Sequence, residues 1–289
     1  MRDRVCLITG GSSGIGRETA RGLARLGATV VIVGRSAARC QSAIAQISTE
    51  TGNANLSFIP ADMSVQADVR RLAAEFTSRH SRLHVLINNA GGLFMNGQVS
   101  ADGIEMTLAL NHLGGYLLTR LLLPVLKASA PARVLVVSSV AHIGMRINFG
   151  GADQPAVETL RFGKWNGYAR SKLANILFTY ELARRLEGAG VTVNALHPGL
   201  AASGFGMNNS GLFPWAKPVI DLFAISSEEG ARTSVHVASS PELEGVTGKY
   251  FVKCRETRSS SASYDTHAAT RLWDLSASMT GLDTLEKTQ

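Results

Sequence analysis

The chain has 289 residues, 45% of them apolar, which allows one large domain or two small ones with a sizeable core. No apolar run is long enough to span a bilayer, and the three cysteines, Cys6, Cys40 and Cys254, are scattered without metal spacing; a transmembrane anchor, a disulfide framework and a structural zinc site are excluded, and no metal is expected. The net charge of +7 is dispersed, with no basic run and no aromatic interleaving, so nucleic acid is not an expected partner and modest steering toward anionic ligands is.

Met1-Arg2-Asp3-Arg4 leads straight into an apolar run, Val5–Thr9, which leaves no room for a signal peptide; a cytoplasmic location is the expectation. Thr9-Gly10-Gly11-Ser12-Ser13-Gly14-Ile15-Gly16 follows the run and precedes a helical pattern over Arg17–Leu26. In such a strand–turn–helix unit, backbone N–H groups and a helix N-terminus face an anionic phosphate. The same residues also match the GxSxG elbow of a serine hydrolase, with Ser12 as nucleophile, and a bare glycine turn is a third reading.

The second strand, Thr29–Val33, ends in Gly34-Arg35 with no Asp or Glu to bond an adenine ribose. Gly34 leaves space, and the Arg35 guanidinium can take a phosphate bidentately, which favours NADP(H) over NAD(H). A helix is expected over Ala37–Ser48 and a third strand over Leu56–Pro60. Asp62 and Met63 follow it. Ser64 is the expected cap of a helix over Val65–Arg79, leaving Asp62 free to accept from an adenine amino group.

The fourth strand, His84–Asn88, runs into Asn89-Ala90-Gly91, small and turn-forming residues that let a ligand approach the chain. The long helix Ile104–Ala128 contains Asn111, a polar side chain before two glycines in an apolar setting. This marks a kink, a site or a satisfied core amide, whereas His112 can face solvent. The fifth strand, Arg133–Ser138, delivers Ser138-Ser139 at its end; His142 invites a Ser–His pairing that only geometry can judge. Tyr168 and Lys172 lie four apart, on one face of a helix over Tyr168–Glu187. A cation there favours the phenolate and lowers the Tyr168 pKa. The sixth strand, Val191–Leu196, leads to Pro198-Gly199 and Ser203. The apolar stretch around 200–225, with Phe213 and Trp215, reads as a substrate lid, a packed crossover or a lipid contact. A helix over Ser227–Ser239 and a seventh strand over Lys249–Val252 follow. Continuous apolar strands alternating with helices predict an α/β fold: a doubly wound, seven-stranded parallel sheet with helices on both faces, in one domain over 1–289.

Taken together, these pieces resemble the short-chain dehydrogenase/reductase family: the glycine turn, Asn88-Asn89-Ala90-Gly91, Asn111, Ser139, Tyr168 with Lys172, and Pro198-Gly199 occur in the family's order. Leu110-Asn111-His112-Leu113-Gly114, Ser138-Ser139-Val140-Ala141-His142 and Leu272-Trp273-Asp274-Leu275-Ser276 are similar to the retinol-dehydrogenase-like branch. The resemblance implies a single Rossmann domain binding NADP(H), with NAD(H) as the lesser option. It implies a tetrad in which Tyr168 is the general acid/base, Lys172 binds the nicotinamide ribose and lowers the Tyr168 pKa, Ser139 polarises a substrate carbonyl and Asn111 holds a water. Cofactor contacts are implied for Gly10, Ser12, Ser13, Gly14, Ile15, Gly16, Arg35, Asp62, Met63, Asn89, Ala90, Gly91, Tyr168, Lys172, Pro198, Gly199 and Ser203. The separation of Ser139 and Tyr168 is longer than in many members, an insertion at about 142–167 that the retinol-dehydrogenase-like branch shares, and the membrane-anchoring N-terminus of many animal retinol dehydrogenases is missing. The expected activity is interconversion of an aldehyde or ketone with an alcohol on a hydrophobic small molecule; an idle NADP(H)-binding regulatory protein of the same fold is the alternative. Apolar positions on the helices carrying Asn111 and Tyr168 permit a homodimer or homotetramer, though a core-facing stripe has the same pattern.

Overall fold

The computed structural model describes residues 1–149, 164–199 and 226–282. Most strands are apolar runs with no polar face, so they must be covered on both sides. The strands are β1 (Val5–Thr9), β2 (Thr29–Gly34), β3 (Leu56–Pro60), β4 (Val85–Asn88), β5 (Ala132–Val137), β6 (Val191–His197), β7 (Lys249–Val252) and β8 (Arg255–Glu256). They form one sheet in the order β3-β2-β1-β4-β5-β6-β7-β8, parallel throughout except for β8. The expected count of seven is thus exceeded by one short antiparallel strand. The β7–β8 hairpin closes through Lys253 and Cys254, both at positive φ. Its two-residue loop lacks the Asn-Gly or Asp-Gly signature that announces such a turn.

The helices are α1 (Gly14–Arg25), α2 (Ala37–Thr51), α3 (Gln66–Arg79), α4 (Met106–Leu108), α5 (Gly114–Ala128), α6 (Lys164–Arg185), α7 (Ser227–Ser239) and α8 (Thr266–Met279). Strand periodicity sorts the core into two layers. Leu7, Val31, Val33, Leu86, Val134 and Val136 point toward α3, α5 and α6, where they meet Leu72, Phe76, Tyr116, Leu117 and Phe178. Their neighbours Cys6, Ile8, Val30, Ile32, Ile87 and Leu135 point toward α1, α2 and α7, meeting Leu23, Cys40, Ile47 and Val237. Each fully buried large side chain contributes roughly 1.5–3 kcal/mol of transfer free energy.

Two features of this architecture position the site. The strand order reverses between β1 and β4, so their C-terminal ends diverge into the crevice where doubly wound sheets bind ligands. The glycine turn and Asn89 stand at those two ends. The second feature is α8, which the sequence reading does not identify as an element. Asp265 caps its start, the carboxylate accepting from the Ala268 N–H at 2.9 Å. α8 packs against α6 and reaches α5 through Trp273, burying Ala269, Leu272, Trp273, Ser276 and Ala277. Trp273 packs on Tyr116 and Phe178 and lies between the guanidinium groups of Arg120 and Arg185, at 4.8 and 4.4 Å from its ring. No described helix is long and apolar enough to cross a membrane.

Candidate active site

The cradle at the end of β1 is built from glycines that have no room for a side chain. Gly10 sits at φ +67°, and a Cβ there would stand 2.9 Å from the Asn89 amide nitrogen; a Cβ on Gly16 would strike the Gly10 carbonyl. α1 begins at Gly14, after an extended Ser13 whose side chain makes no capping bond, and its first turn carries no acid. The N–H groups of that first turn and the positive end of the helix are thus left to an outside anion. A pyrophosphate fits this donor set, so the residues present suit a dinucleotide. The Ser12 hydroxyl bonds the Cys40 thiol and lies beside Gly34. It has no histidine base among the described residues, so the hydrolase elbow lacks its second member.

Asn89 holds the cradle rather than standing free. Its amide donates to the Thr9 carbonyl at 2.8 Å, and the Thr9 hydroxyl accepts from the N–H groups of both Asn89 and Ala90 at 3.0 Å. Gly91 passes close to Asn111 and Lys172: a Cβ there would lie 3.3 Å from Asn111 Oδ1 and 3.4 Å from Lys172 Nζ.

At the β2 end, the space that Gly34 leaves is filled by Ser12 Oγ and Cys40 Sγ, so packing alone requires glycine there. Arg35 is exposed beyond it and makes no ion pair among the described residues. At the β3 end, Ser64 does not cap α3. Its N–H and hydroxyl both donate to Asp62 Oδ1, at 2.9 and 2.7 Å, and the N-cap position falls to Val65, which has no polar side chain to offer. Asp62 is accordingly less free than its sequence context suggests. Met63 is held by a close backbone approach, since a Cβ on Gly114 would strike its carbonyl.

Asn111 lies in a π-helical turn, Ala109–Leu113, between α4 and α5. Such turns shift the side-chain register of a helix and recur at functional sites. Its amide is fully engaged: Oδ1 accepts from Gly92 N–H at 2.8 Å, and Nδ2 donates to the Gly92 carbonyl at 2.9 Å and to Ser171 Oγ at 3.0 Å. Ser171 in turn donates to the Tyr168 carbonyl at 2.7 Å. His112 does not face solvent. It is buried, with Nε2 2.9 Å from Ser276 Oγ of α8, and burial pushes its pKa down to about 4.

Tyr168, Ser139 and Lys172 converge beside Asn111. The Tyr168 and Ser139 hydroxyls are hydrogen-bonded to each other. Lys172 Nζ lies 5.5 Å from the Tyr168 ring centroid and donates to the Val137 carbonyl at 3.2 Å. The expected lowering of the Tyr168 pKa is not what the protein groups alone produce. Burial pushes Tyr168 up to about 12, against a smaller downward pull from Ser139, and burial pulls Lys172 down to about 8. Desolvation of the buried phenol outweighs the hydrogen bond from Ser139. His142 makes no bond to the Ser139 hydroxyl; its Nδ1 lies 2.6 Å from the Ser139 carbonyl.

Pro198 and Gly199, the latter at φ +95°, turn the chain out of β6 at the same edge of the sheet. Ser203, Phe213, Trp215, the stretch 200–225 and residues 150–163 of the insertion lie outside the described residues. A cleft of about 930 Å³ opens at the opposite edge, where β4, β5 and β6 begin, and is lined by none of Asn111, Ser139, Tyr168, Lys172 or the glycine turn.

The family model for short chain dehydrogenase matches residues 4–150. Retinol dehydrogenase 12 of Bos taurus is 42% identical over 279 residues, spanning 96% of this chain and 87% of that protein. Among solved structures, an uncharacterized protein from Mycobacterium paratuberculosis is 31% identical with a TM-score of 0.75, covering 98% of this chain and 95% of its own. The Pseudomonas aeruginosa RhlG/NADP active-site complex is 30% identical with a TM-score of 0.70, covering 87% and 94%.

Proposed function

The chain belongs to the short-chain dehydrogenase/reductase family, as an oxidoreductase of alcohols and carbonyl compounds related to the retinol dehydrogenases, and from that premise we propose an NADP(H)-dependent enzyme that interconverts an aldehyde or ketone with an alcohol on a hydrophobic small molecule. The observation that carries this reading is the Tyr168–Ser139 hydrogen bond with Lys172 beside it at the ligand-binding edge of the sheet. Gly10 and Gly14–Gly16 hold the pyrophosphate on the α1 N-terminus, with Ser12, Ser13 and Ile15 in the same loop. Arg35 faces the adenine-ribose phosphate, which favours NADP(H), and Asp62 and Met63 border the adenine. Asn89, Ala90, Gly91, Pro198, Gly199 and Ser203 border the remainder. The nicotinamide, when bound, supplies or accepts the hydride.

Tyr168 moves the proton at the substrate oxygen. Ser139 donates to that oxygen and fixes its distance from Tyr168. Lys172, with donors beyond the one given to Val137, holds ribose hydroxyls and brings positive charge to the phenol. Asn111 keeps the Gly92 loop in register and supports a water behind Lys172. The apolar stretch 200–225 and the names of the retinol dehydrogenases support a hydrophobic substrate. Free thiols at Cys6, Cys40 and Cys254 suit a reducing, cytoplasmic setting. A homodimer or homotetramer would use surfaces other than the α8-covered faces of α5 and α6.

A panel of aldehydes, ketones and hydrophobic alcohols, followed by NADPH and NADH absorbance, tests the proposal. Tyr168→Phe is expected to lose at least about a hundredfold in kcat while still binding NADPH. Wild-type-like turnover by that variant, or a preference for NADH, would overturn the corresponding part of the reading.

A further inference from the structure

Ser139 has a second set of contacts besides Tyr168. It caps the turn Val140–His142, its hydroxyl accepting from the Ala141 N–H at 3.2 Å. His142, 1% exposed, closes that turn from behind. Its Nδ1 lies 2.6 Å from the Ser139 carbonyl, and its Nε2 lies 3.0 Å from the Ser260 backbone nitrogen. A backbone N–H can only donate, so Nε2 must carry the lone pair and Nδ1 the proton. The tautomer is fixed, and Nδ1–H donates to Ser139. The ring also stands edge-on to Tyr250, at 5.2 Å between centroids.

Ser260 is itself anchored to the helix that carries Tyr168. Tyr180 of α6 bonds Ser259 Oγ at 2.7 Å, Ser259 Oγ bonds Ser263 Oγ at 2.6 Å, and Ser263 donates to the Ser260 carbonyl at 2.6 Å. Tyr180 stacks on Tyr264 of the same turn, at 5.3 Å. A closed circuit results: Tyr168 meets Ser139 directly, and α6 reaches the same serine again through Tyr180, Ser259, Ser260 and His142.

We propose that His142 is a positioning residue, pinned by the Ser260 N–H, that sets the Ser139 hydroxyl against Tyr168. The inference rests on the catalytic reading of Ser139 and Tyr168 and adds to it a role for the segment after β8. Burial holds the His142 pKa below the usual imidazole range, which keeps the neutral ring that the two bonds require.

Ser260 lies at φ −64°, the angle proline imposes, so Ser260→Pro leaves that backbone angle unforced while replacing the N–H with a ring carbon that both removes the bond to His142 Nε2 and displaces the imidazole. Ser260→Ala keeps the N–H and removes only the hydroxyl. The expected result is a roughly tenfold fall in kcat for Ser260→Pro, with KM for the carbonyl substrate and NADPH affinity within about twofold of wild type, and no change for Ser260→Ala. Should Ser260→Pro fail to fold, two His142 variants decide. His142→Asn places a carboxamide N–H where Nδ1–H stands and is expected to retain kcat within about threefold; His142→Leu, without a donor, is expected to lose roughly tenfold or more. Wild-type kcat in Ser260→Pro or His142→Leu, or equal losses in the Asn and Leu variants, would overturn the positioning role. Activity retained in Tyr168→Phe would instead overturn the catalytic reading, so the two failures are distinguishable.

Discussion

Lys172 is buried to 4% exposure with one main-chain carbonyl as its hydrogen-bond acceptor, and its pKa drops from 10.5 to about 8 because burial disfavours the charged form. The unfolded chain therefore holds this proton more tightly than the folded one. Below about pH 8 both states are protonated and the folded state bears the full cost of the buried charge; as pH rises from about 8 toward 10.5 the folded state sheds its proton while the unfolded chain keeps it, so the cost shrinks and is gone once both are neutral. The sign follows from proton counts: between the two pKa values the unfolded state binds more protons, so stability rises with pH there relative to a chain without the group. Lys172→Met is accordingly expected to abolish turnover while raising stability near pH 7 by about 1–3 kcal/mol. The gain should shrink between pH 8 and 10.5, which denaturant melts across that range would read. A destabilised variant, or a gain independent of pH, would mean that burial of the charge is not the governing cost. Tyr168 illustrates the same balance: its neighbours can be read from the chain but their burial cannot, and burial decides the direction of the shift.

At the scale of elements, the π-helical turn at Asn111 and the glycine that follows it fix one side of the crevice to the other. A methyl group on Gly114 would strike the Met63 carbonyl, at the end of the β3 loop. Gly114→Ala is expected to cost roughly 1–3 kcal/mol through overpacking and, on the proposed placement of Met63 beside the adenine, to weaken NADPH binding more than it lowers kcat. Unchanged NADPH affinity would show that the loop and the π turn are not coupled. The strands and the major helices are legible from the sequence because both-face burial demands unbroken apolar runs, and Ser139 and the glycine turn draw notice because they follow the ends of such runs. Local rules fail where a tertiary partner decides. Ser64 donates to Asp62 instead of capping α3, His112 turns inward to meet Ser276, and a Lys-Cys turn closes the last hairpin without any turn signature.

For the whole molecule, α8 is the element that completes the packing around Asn111 and Tyr168. It seals the outer side of α5 and α6, and one cluster joins Leu108 and Leu113 around Asn111, Phe149 of the insertion, Leu173 and Leu177 of α6, and Ala269 and Leu272 of α8. The chain thus supplies from its own C-terminal region the cover that a second subunit could otherwise provide. Trp273 is the centre of that contact, with Tyr116, Phe178, Arg120 and Arg185 around it. Trp273→Ala removes the largest side chain from the interface, and a loss of roughly 3–5 kcal/mol is expected in denaturant unfolding. The opened face is apolar and lies on the helices bearing Asn111 and Tyr168, so the variant should also lose kcat and associate at concentrations where the wild-type protein does not, as read by light scattering. A variant that unfolds at the wild-type midpoint would show that α8 is a passenger on these helices; one that is destabilised without associating would show that the covered face is too small to hold a partner.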